Sequence, residues 1–368
     1  MSLCDLGMPY VRAITPYQPG KPISELAREM GLDEASIVKL ASNENPLGVG
    51  EKTRAAMQQA LVDIARYPDG NGFELKDALC RRYGVAMDQI VLGNGSNDVL
   101  EMVAGAFLGP EREAVFAQHA FAVYPLATQA AGAKGIQVPA RNFGHDLDAM
   151  LAAITPATRV VFIANPNNPT GTFIPGPELE AFLGRVPADV LVVLDEAYTE
   201  YLAPAQRYDA IGWIQRFPNL LVSRTFSKAY GLAGLRVGYG LGNPAVIDLL
   251  NRVRQPFNVN HLAMVAAVAA LKDEAFIEKS RAVNKAGMAQ LQAGLKQLGL
   301  SYVPSRANFI LVDIQADPAQ TFNDLLKQGV IVRPVGIANH LRVSIGTEAE
   351  NAKFLAALAE VLALEVQA

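Results

Sequence analysis

Cysteine is scarce in this chain, which has two cysteines among 368 residues. Cys4 and Cys80 lie far apart and outside any Cys-x-x-Cys pattern, so the sequence indicates neither a disulfide framework nor a zinc site. The histidines are equally scattered, without the i, i+4 pair typical of a metal site; they are His119, His145, His261 and His340. We therefore expect two free thiols and no metal centre.

Long apolar runs and blocks of like charge are also missing. No uncharged apolar stretch approaches the roughly 20 residues of a membrane span, and the N-terminus lacks a basic region followed by an apolar core. The formal net charge of −4 is not concentrated in any block, which excludes the basic footprint of a protein that binds nucleic acid or an anionic membrane. We therefore expect a cytoplasmic protein that acts on small molecules, without nucleic-acid or membrane partners.

Short apolar runs are abundant. Hydrophobic residues make up 51% of the chain and charged residues 18%, a balance typical of a well-buried protein long enough for two domains. Several runs end in polar or glycine-rich loops and are followed by helical patterns, as in parallel α/β units. They predict buried strands of a doubly wound sheet at residues 90–92, 114–116, 160–164, 190–194, 220–223 and 237–239.

The two ends of the chain differ from this middle part. Prolines interrupt the first 22 residues, and the sequence Ser-Asn-Glu-Asn-Pro at 42–46 predicts a turn. After about residue 260 comes a helix-rich region that begins with a buried helix at 261–271, and segments 308–313 and 341–345 alternate like half-exposed strands. The expected fold is α/β, with an arm and part of a small domain at 1–50, a large domain with a mostly parallel sheet at 51–260, and a smaller α+β domain at 261–368.

The segment 225–236, Thr-Phe-Ser-Lys-Ala-Tyr-Gly-Leu-Ala-Gly-Leu-Arg, sets one lysine between small hydroxyls and an arginine. A lysine condenses with a carbonyl only when it is partly deprotonated, and burial together with the cation Arg236 would lower the pKa of Lys228. The hydroxyls of Thr225 and Ser227 and the Arg236 guanidinium are donors that suit a phosphate monoester. The segment predicts pyridoxal phosphate held as a Schiff base on Lys228, whereas Ser-Lys alone would indicate a solvated turn.

Asp195 follows the apolar run 190–194, where a carboxylate without a partner is costly. A pyridinium nitrogen is such a partner, and Asp195 would keep it protonated so that the ring accepts electrons from the substrate; the alternative is an N-cap for a helix starting at Glu196. Tyr198, about one helical turn later, would donate to the ring oxygen. Asn168 would donate to the same oxygen from a loop after the run 160–164, although that loop alone indicates only a proline-fixed turn.

Two further segments suggest cofactor contacts. The glycine turn at 93–97 opens a helix, so Gly95, Ser96 and Asn97 would present free N–H groups to a phosphate; capping of the helix by Ser96 or Asn97 is the alternative. Asp98 stands where a dinucleotide fingerprint needs its third glycine, and a carboxylate there disfavours a pyrophosphate. Tyr124 is predicted to stack on the pyridine face, with a core tyrosine as the alternative.

With Lys228, Asp195, Tyr198, Asn168 and Arg236 in this order, the chain resembles fold-type I pyridoxal-phosphate aminotransferases. The segments 40–48, 66–69, 254–260 and 341–346 make it similar, more narrowly, to the histidinol-phosphate aminotransferase family. This resemblance implies a homodimer with active sites at the subunit interface, in which Tyr67 reaches the cofactor phosphate of the partner subunit. It also implies a substrate end lined by Tyr17, Asn43, Arg333 and Arg342.

The resemblance implies a transferase of histidine biosynthesis that moves an amino group between histidinol phosphate and 2-oxoglutarate, with Lys228, Asp195 and Tyr198 as catalytic residues. A guanidinium binds phosphate and carboxylate with the same geometry, so a broad aromatic amino acid aminotransferase of the same fold stays open as an alternative. A pyridoxal enzyme that removes carbon dioxide or a β-substituent stays open too, as does a nucleotide-binding module. The span from Arg333 to Arg342 is shorter than in the family, and we expect this to affect specificity.

Overall fold

The computed structural model describes residues 2–364. The strands, in chain order, are β1 Val38–Lys39, β2 Ile90–Gly93, β3 Glu113–Ala117, β4 Lys134–Val138, β5 Thr158–Ala164, β6 Leu191–Asp195, β7 Leu220–Thr225, β8 Gly238–Gly242, β9 Ser301–Val303, β10 Phe309–Asp313, β11 Val330–Ile331, β12 Arg333–Pro334 and β13 His340–Ser344.

The α-helices are α1 Pro9–Arg12, α2 Ile23–Met30, α3 Glu51–Ala60, α4 Phe73–Tyr83, α5 Ser96–Phe107, α6 Val123–Ala130, α7 Leu147–Ala152, α8 Gly176–Leu183, α9 Ala210–Trp213, α10 Pro244–Val253, α11 His261–Leu271, α12 Glu274–Gln297, α13 Pro318–Lys327 and α14 Glu348–Val361. In the described part of the chain, none of the helices has both the length and the apolar character needed to cross a bilayer.

Seven strands form a large sheet in the order β2-β8-β7-β6-β5-β3-β4. Strand β8 is antiparallel to both its neighbours, and the other adjacent pairs are parallel. Alternate residues of the central strands face two different apolar clusters: Val192 and Leu194 of β6 face one, and Leu191 and Val193 face the other. Helices therefore cover both faces, and the predicted doubly wound, mostly parallel sheet is confirmed, with a strand at each of the six predicted runs.

The edge strand β4 was not predicted. Its sequence, Lys-Gly-Ile-Gln-Val, contains no apolar run, and only Val138 is fully buried. Edge strands pair on one side only and need not bury both faces. Strand β4 is therefore held by its parallel pairing with β3 rather than by a sequence pattern.

A smaller antiparallel sheet has the order β12-β13-β10-β9. The predicted strands near 308–313 and 341–345 are confirmed as β10 and β13, but the expectation that they are half-exposed is wrong because almost all their residues are buried. One face packs on α12, α13 and α14. The other faces the large domain, where Phe309 meets the ring of Tyr198 edge-on at 5.2 Å.

The first and last thirds of the chain meet in the small domain. Strand β1 pairs in parallel with β11, and Leu26 of α2 packs on the same cluster as Ile331. Helix α11 is the predicted buried helix, but it packs in the core of the large domain. Since Ile277 of α12 belongs to that core and Leu291 to the small one, the transition falls inside α12, later than the expected residue 260.

Candidate active site

A cavity of about 260 Å³ lies between the carboxyl ends of the parallel strands and the inner face of the small sheet. In a parallel sheet these strand ends share one edge, which brings the loops after β5, β6 and β7 together. The predicted residues that line the cavity are Tyr17, Asn43, Ser96, Asn97, Asn168, Asp195, Tyr198, Thr225, Ser227, Lys228, Arg236, Arg333 and Arg342. Of the predicted residues that the structure describes, Gly95, Tyr67 and Tyr124 lie outside this lining.

Lys228 follows β7 and is held in the cavity by the N-terminal segment. Its Nζ donates a hydrogen bond to the carbonyl of Ser42 at 3.0 Å and lies 5.8 Å from the centre of the Tyr198 ring. Burial lowers the pKa of Lys228 to about 8, helped by the cations Arg342 and, to a smaller degree, Arg236. The sequence pointed to burial and Arg236, whereas Arg342 is the larger cationic influence. A substantial share of neutral amine is thus present near pH 8.

Asp195 ends β6 at the floor of the cavity. Its Oδ2 accepts a hydrogen bond from the Tyr124 hydroxyl at 2.9 Å, while its Oδ1 is buried without a hydrogen-bond partner among residues 2–364. Burial raises the pKa of Asp195 to about 6 against the opposing effect of that hydroxyl. No helix begins at Glu196, since the chain turns directly into a short 3-10 helix at Thr199–Tyr201, so the helix-capping alternative is excluded. A buried carboxylate oxygen in this state is suited to a cationic donor in the cavity.

The Tyr124 ring does not have the predicted position. It stacks on Phe162 at 4.8 Å with an angle of 7° and is fully buried, so it faces the core while its hydroxyl supports Asp195. Phe121, three residues earlier and just before α6, lines the cavity and meets Tyr124 edge-on at 5.8 Å. Phe121 is therefore the aromatic side chain of this segment that faces the cavity, and the sequence reasoning missed it. The segment held two aromatic residues three apart, and spacing alone did not reveal which ring turns inward.

Tyr198 and Asn168 each keep a donor for the cavity. The Tyr198 hydroxyl accepts a hydrogen bond from Asn43 Nδ2 at 3.0 Å, and burial raises the pKa of Tyr198 to about 12, so the phenol stays protonated. Asn168 Oδ1 accepts from Arg342 at 2.6 Å, which fixes the amide, and its Nδ2 makes no hydrogen bond within the described residues. No α-helical turn joins Asp195 to Tyr198 as expected; a tight turn before the 3-10 helix brings the two together.

Asn43 lines the cavity and also binds several protein partners. Its backbone N–H donates to Ser344 Oγ at 2.8 Å, its Oδ1 accepts from the same hydroxyl, and its carbonyl accepts from Asn308. With Nδ2 given to Tyr198, the polar atoms of Asn43 are engaged by protein partners. Asn43 therefore links the N-terminal segment to the small sheet and to Tyr198, and it also forms part of the cavity wall.

The start of α5 forms an anion site with the Lys228 segment. The helix begins after Gly95, with φ near 80°, and no side chain caps its first turn, which excludes capping by Ser96 or Asn97. A side chain on Gly95 would collide with the Arg236 guanidinium, so the glycine lets that cation lie against the helix start. Arg236 also reaches Ser227 Oγ at 3.4 Å. Free N–H groups, hydroxyls and a guanidinium together suit a phosphate.

Asp98 does not oppose this anion site. Its Oδ2 accepts hydrogen bonds from the backbone of Asn94 at 2.8 Å and from Asn258 Nδ2 at 2.6 Å. These two donors direct the carboxylate towards the loop before the helix and the segment after α10. The negative charge is thereby neutralised in part by fixed dipoles, and a phosphate monoester at the first turn of α5 remains compatible with it.

Two arginines occupy the other end of the cavity. Arg342 is buried and donates to the carbonyl of Ala41 at 2.6 Å, while its Nε is buried without a partner in the described part of the chain. Arg333 lies directly opposite on β12, donates to the carbonyl of Gln18, and sits 5.5 Å over the Tyr17 ring. Neither arginine forms an ion pair within residues 2–364. The pair is suited to an anionic group of a second ligand.

Tyr67 lies far from this arrangement. Its side chain is 83% exposed and stacks on Phe257 at 4.8 Å.

The sequence reasoning also missed two residues near Lys228. The carbonyl of Ser42 accepts the hydrogen bond from Lys228, and the carboxylate of Glu44 raises the pKa of Lys228 and pairs with Lys39 at 3.0 Å. Both lie in the turn predicted at 42–46, and no local pattern indicates that this turn crosses over to the lysine.

The donors in the cavity fit pyridoxal phosphate. The start of α5 with Arg236 suits its phosphate, the unpartnered Asp195 Oδ1 suits its ring N–H, and the Tyr198 hydroxyl and Asn168 amide suit its ring oxygen. Lys228 lies among them with a lowered pKa. By contrast, no group of three or more His, Cys, Asp or Glu side chains capable of holding a metal ion occurs within residues 2–364.

Comparisons with known proteins agree with this chemistry. Residues 35–358 match the family model of aminotransferase class I and II. The chain is 62% identical to histidinol-phosphate aminotransferase 2 of Nitrosospira multiformis, with 98% of this chain and 93% of the relative covered, and 64% identical to histidinol-phosphate aminotransferase 1 of Thiobacillus denitrificans, with 99% and 96% covered. A solved histidinol-phosphate aminotransferase from Sinorhizobium meliloti, in complex with pyridoxal-5'-phosphate, superposes with a TM-score of 0.90 at 28% identity, covering 97% of this chain and 98% of that one.

Proposed function

We infer the function of this chain from its family, since it belongs to the aminotransferase class I and II family and within it to the histidinol-phosphate aminotransferases. We propose that it exchanges an amino group between histidinol phosphate and 2-oxoglutarate, with pyridoxal phosphate as cofactor. One observation carries the proposal beyond the family. A single cavity holds Lys228, the unpartnered Asp195 Oδ1 and, at its opposite end, two arginines without carboxylate partners in the described residues. A substrate with an amine and a distant anionic group spans this arrangement.

Binding of the cofactor falls to residues at the strand ends. When bound, pyridoxal phosphate supplies an aldehyde for the amino group and a ring that withdraws electrons. The first turn of α5 and Arg236 would hold its phosphate, and Asp195 Oδ1 would accept the proton of its ring nitrogen. Phe121 lines the same cavity and would lie against the ring. The Tyr198 hydroxyl and Asn168 Nδ2 would donate to the ring oxygen.

Lys228 moves the proton in this proposal. With a pKa of about 8, its Nζ exists partly as the free amine, which would hold the cofactor and, once released by the substrate amine, would accept the proton from the substrate Cα. The adjacent Tyr198 ring and the Ser42 carbonyl restrict where the amine points. The same nitrogen returns the proton on the other side of the reaction, so one residue serves as general base and general acid.

Arg342 and Arg333 bind the anionic end of either substrate. The phosphate ester of histidinol phosphate and the carboxylate of glutamate both fit a guanidinium through two N–H donors. The unpartnered Nε of Arg342 marks the donor that a bound anion satisfies. Tyr17, against Arg333, completes the mouth of the cavity. This arrangement explains how one cavity serves two chemically different amino compounds in turn.

A homodimer is the expected assembly. Several apolar side chains near Tyr67 in the sequence are exposed in the single chain, with Val62 and Tyr67 both 83% exposed, and Tyr67 stacks on the exposed Phe257; the others are Leu61, Ile64 and Phe73. Exposed apolar groups of this kind mark protein interfaces. We propose that a second copy covers these side chains and that Tyr67 reaches the partner's cofactor phosphate. A monomeric mass in light scattering at micromolar concentration would contradict this.

The cytoplasm is the proposed location. Cys4 is exposed and Cys80 half-buried, and both are free thiols. Reducing compartments keep such thiols free, whereas oxidising ones favour disulfides. Fractionation of cells that express the chain with a tag tests this proposal, and recovery in the periplasmic or secreted fraction would overturn it.

The substrate profile of the purified protein tests the proposed activity. With added pyridoxal phosphate and 2-oxoglutarate, kcat/KM for histidinol phosphate should exceed that for phenylalanine at least about 100-fold, because only the former presents a phosphate to the arginine pair. A preference for phenylalanine would favour the broad aromatic aminotransferase instead. Turnover without an amino acceptor would indicate lysis rather than transfer.

A further inference from the structure

Phe143 has an unusual backbone conformation next to the active site. It lies at the tip of a tight hairpin closed by mutual backbone hydrogen bonds between Arg141 and Gly144 at 3.1 and 2.9 Å. Both central residues are left-handed, Asn142 with φ 49° and Phe143 with φ 64°. Asparagine tolerates this region, but a bulky aromatic residue there is a real outlier. Such conformations persist only when surrounding contacts enforce them, and they cluster at functional positions.

The contacts that hold Phe143 come from both domains. Its ring lies 6.0 Å from the imidazole of His119, which follows β3 of the large sheet, with an angle of 25°. The ring also lies 5.1 Å from the imidazole of His340, the first residue of β13 in the small sheet. The hairpin tip is therefore an aromatic wedge between the two domains.

Strand β13 carries this contact directly to the anion-binding end of the cavity. Side chains two residues apart on a strand share a face, and Leu341 and Val343 point into the core of the small domain. The opposite face presents His340, Arg342 and Ser344 to the large domain and the N-terminal segment. Their contacts there are Phe143, Asn168 and Asn43, respectively.

The large-domain side of the wedge leads to the same place. The carbonyl of His119 accepts a hydrogen bond from Asn167 Nδ2 at 2.8 Å, and the next residue, Asn168, accepts from Arg342 at 2.6 Å. Phe143 thus contacts His340, which lies two residues before Arg342 on β13, and His119, which is hydrogen-bonded to the residue before Asn168. Both partners of the Arg342–Asn168 hydrogen bond are therefore linked to Phe143. His340 is itself fixed by its Nδ1 contact with the Ala338 carbonyl at 2.6 Å.

We propose that Phe143 is a positioning residue for substrate binding, which sets the distance between β13 and the large domain and so places Arg342 for the phosphate or carboxylate of the substrate. The inference rests on the proposed function in that it takes Arg342 as the anion-binding residue. Phe143 does not line the cavity in the described structure, so it acts through His340 and Arg342 rather than on the ligand.

The test is the binding of inorganic phosphate to the cofactor-loaded protein, measured by calorimetry, together with steady-state kinetics. Phe143→Ala should weaken phosphate binding and raise KM for histidinol phosphate about 5- to 10-fold, leaving kcat within about twofold and cofactor affinity unchanged. Phe143→Tyr keeps the aromatic wedge and should behave as the unaltered protein. Asn142→Gly is the matched control, because it relaxes the neighbouring left-handed residue without removing the ring.

Several outcomes are decisive. Unchanged phosphate affinity in Phe143→Ala overturns the inference. A parallel fall in kcat, cofactor affinity and phosphate affinity also overturns it, because such a fall would indicate only a structural role. If Phe143→Ala does not fold, Phe143→Leu, which keeps apolar bulk but lacks the flat ring, takes its place with the same expectations. Absence of turnover of histidinol phosphate by the unaltered protein would defeat the proposed function alone, because phosphate binding still measures the effect of Phe143 on Arg342.

Discussion

At the Lys228 end of the cavity, Asn168, Asp195 and Lys228 lie at the ends of three neighbouring parallel strands of one sheet, whereas at the Arg342 end the side chains come from two distant parts of the chain. Tyr17 belongs to the N-terminal segment, and Arg333 and Arg342 belong to the small sheet. The first end is set mainly by strand pairing. The second exists only when the two domains and the N-terminal segment pack together.

The two ends also differ in their electrostatics. Asp195 is buried and Lys228 is partly buried in the same cavity, and desolvation moves their pKa values towards each other, to about 6 and about 8. Arg333 and Tyr17 at the other end are partly exposed. We infer that the strand-end residues determine the chemistry and the inter-domain residues determine which amine arrives. Changes at the first end should affect rate or cofactor, and changes at the second should affect KM.

The largest expected effect is that of Lys228→Ala. Loss of the amine that moves the proton should lower kcat by at least about 10⁴-fold, measured as the rate of glutamate formation from histidinol phosphate and 2-oxoglutarate. Lys228→Arg should be equally inactive, because a guanidinium keeps its proton at neutral pH. A normal rate in either variant would refute the assignment of Lys228.

Asp195→Asn should reduce the rate and stabilise the protein without cofactor. The rate should fall at least about 100-fold, since a preorganised charge is removed. The buried carboxylate, whose Oδ1 has no hydrogen-bond partner among the described residues, destabilises the cofactor-free protein as pH rises from its ordinary pKa of 3.8 to about 6, at a cost of up to about 3 kcal/mol. The variant should therefore melt higher at pH 7, and the difference should vanish near pH 3.

Thermal melts of both cofactor-free proteins across this pH range are the measurement. Asp63→Asn, at an exposed position, is the control and should show no such pH-dependent gain. Equal melting temperatures of Asp195→Asn and the unaltered protein at pH 7 would show that Asp195 is not strained without the cofactor.

A smaller effect is expected for Tyr124→Phe, which removes the hydrogen bond to Asp195 and keeps the ring stacked on Phe162. Loss of about 1 kcal/mol corresponds to cofactor affinity lowered about fivefold, and the pKa of Asp195 should rise further because the hydroxyl holds it down. Cofactor titration by absorbance measures the affinity. Tyr208→Phe is the matched control, since that buried hydroxyl bonds Asn165 instead; equal affinities of all three proteins would contradict the role of Tyr124.

The smallest expected effect is a shift in pH dependence. Only the neutral amine of Lys228 captures the aldehyde, so the capture rate of the cofactor-free protein should rise with pH through about 8. A neighbouring cation disfavours the ammonium form. Arg342→Gln should therefore raise the pKa of Lys228 and move the curve to higher pH, whereas a curve that does not move would show that Arg342 has no influence on the lysine.

The strand-end half of the site was readable from sequence because each residue directly follows an apolar run or belongs to one contiguous segment. Spacing did not show which of Phe121 and Tyr124 faces the cavity, because that depends on how α6 packs on the core. The inter-domain half was indicated only by resemblance. The burial of β10 and β13 was mispredicted because local alternation carries no information about a second domain that covers the outer face of the small sheet.

The division between the two ends is tested most directly by kcat/KM of the unaltered protein and Arg342→Gln with histidinol phosphate and with its dephosphorylated form, histidinol. At a pH well above the pKa of Lys228, the preference for the phosphorylated substrate should fall at least about 10-fold in the variant, because a charge-assisted hydrogen bond to the phosphate is lost, while the value for histidinol changes little. An equal fall for both substrates would contradict this division and assign Arg342 to the chemistry at the Lys228 end.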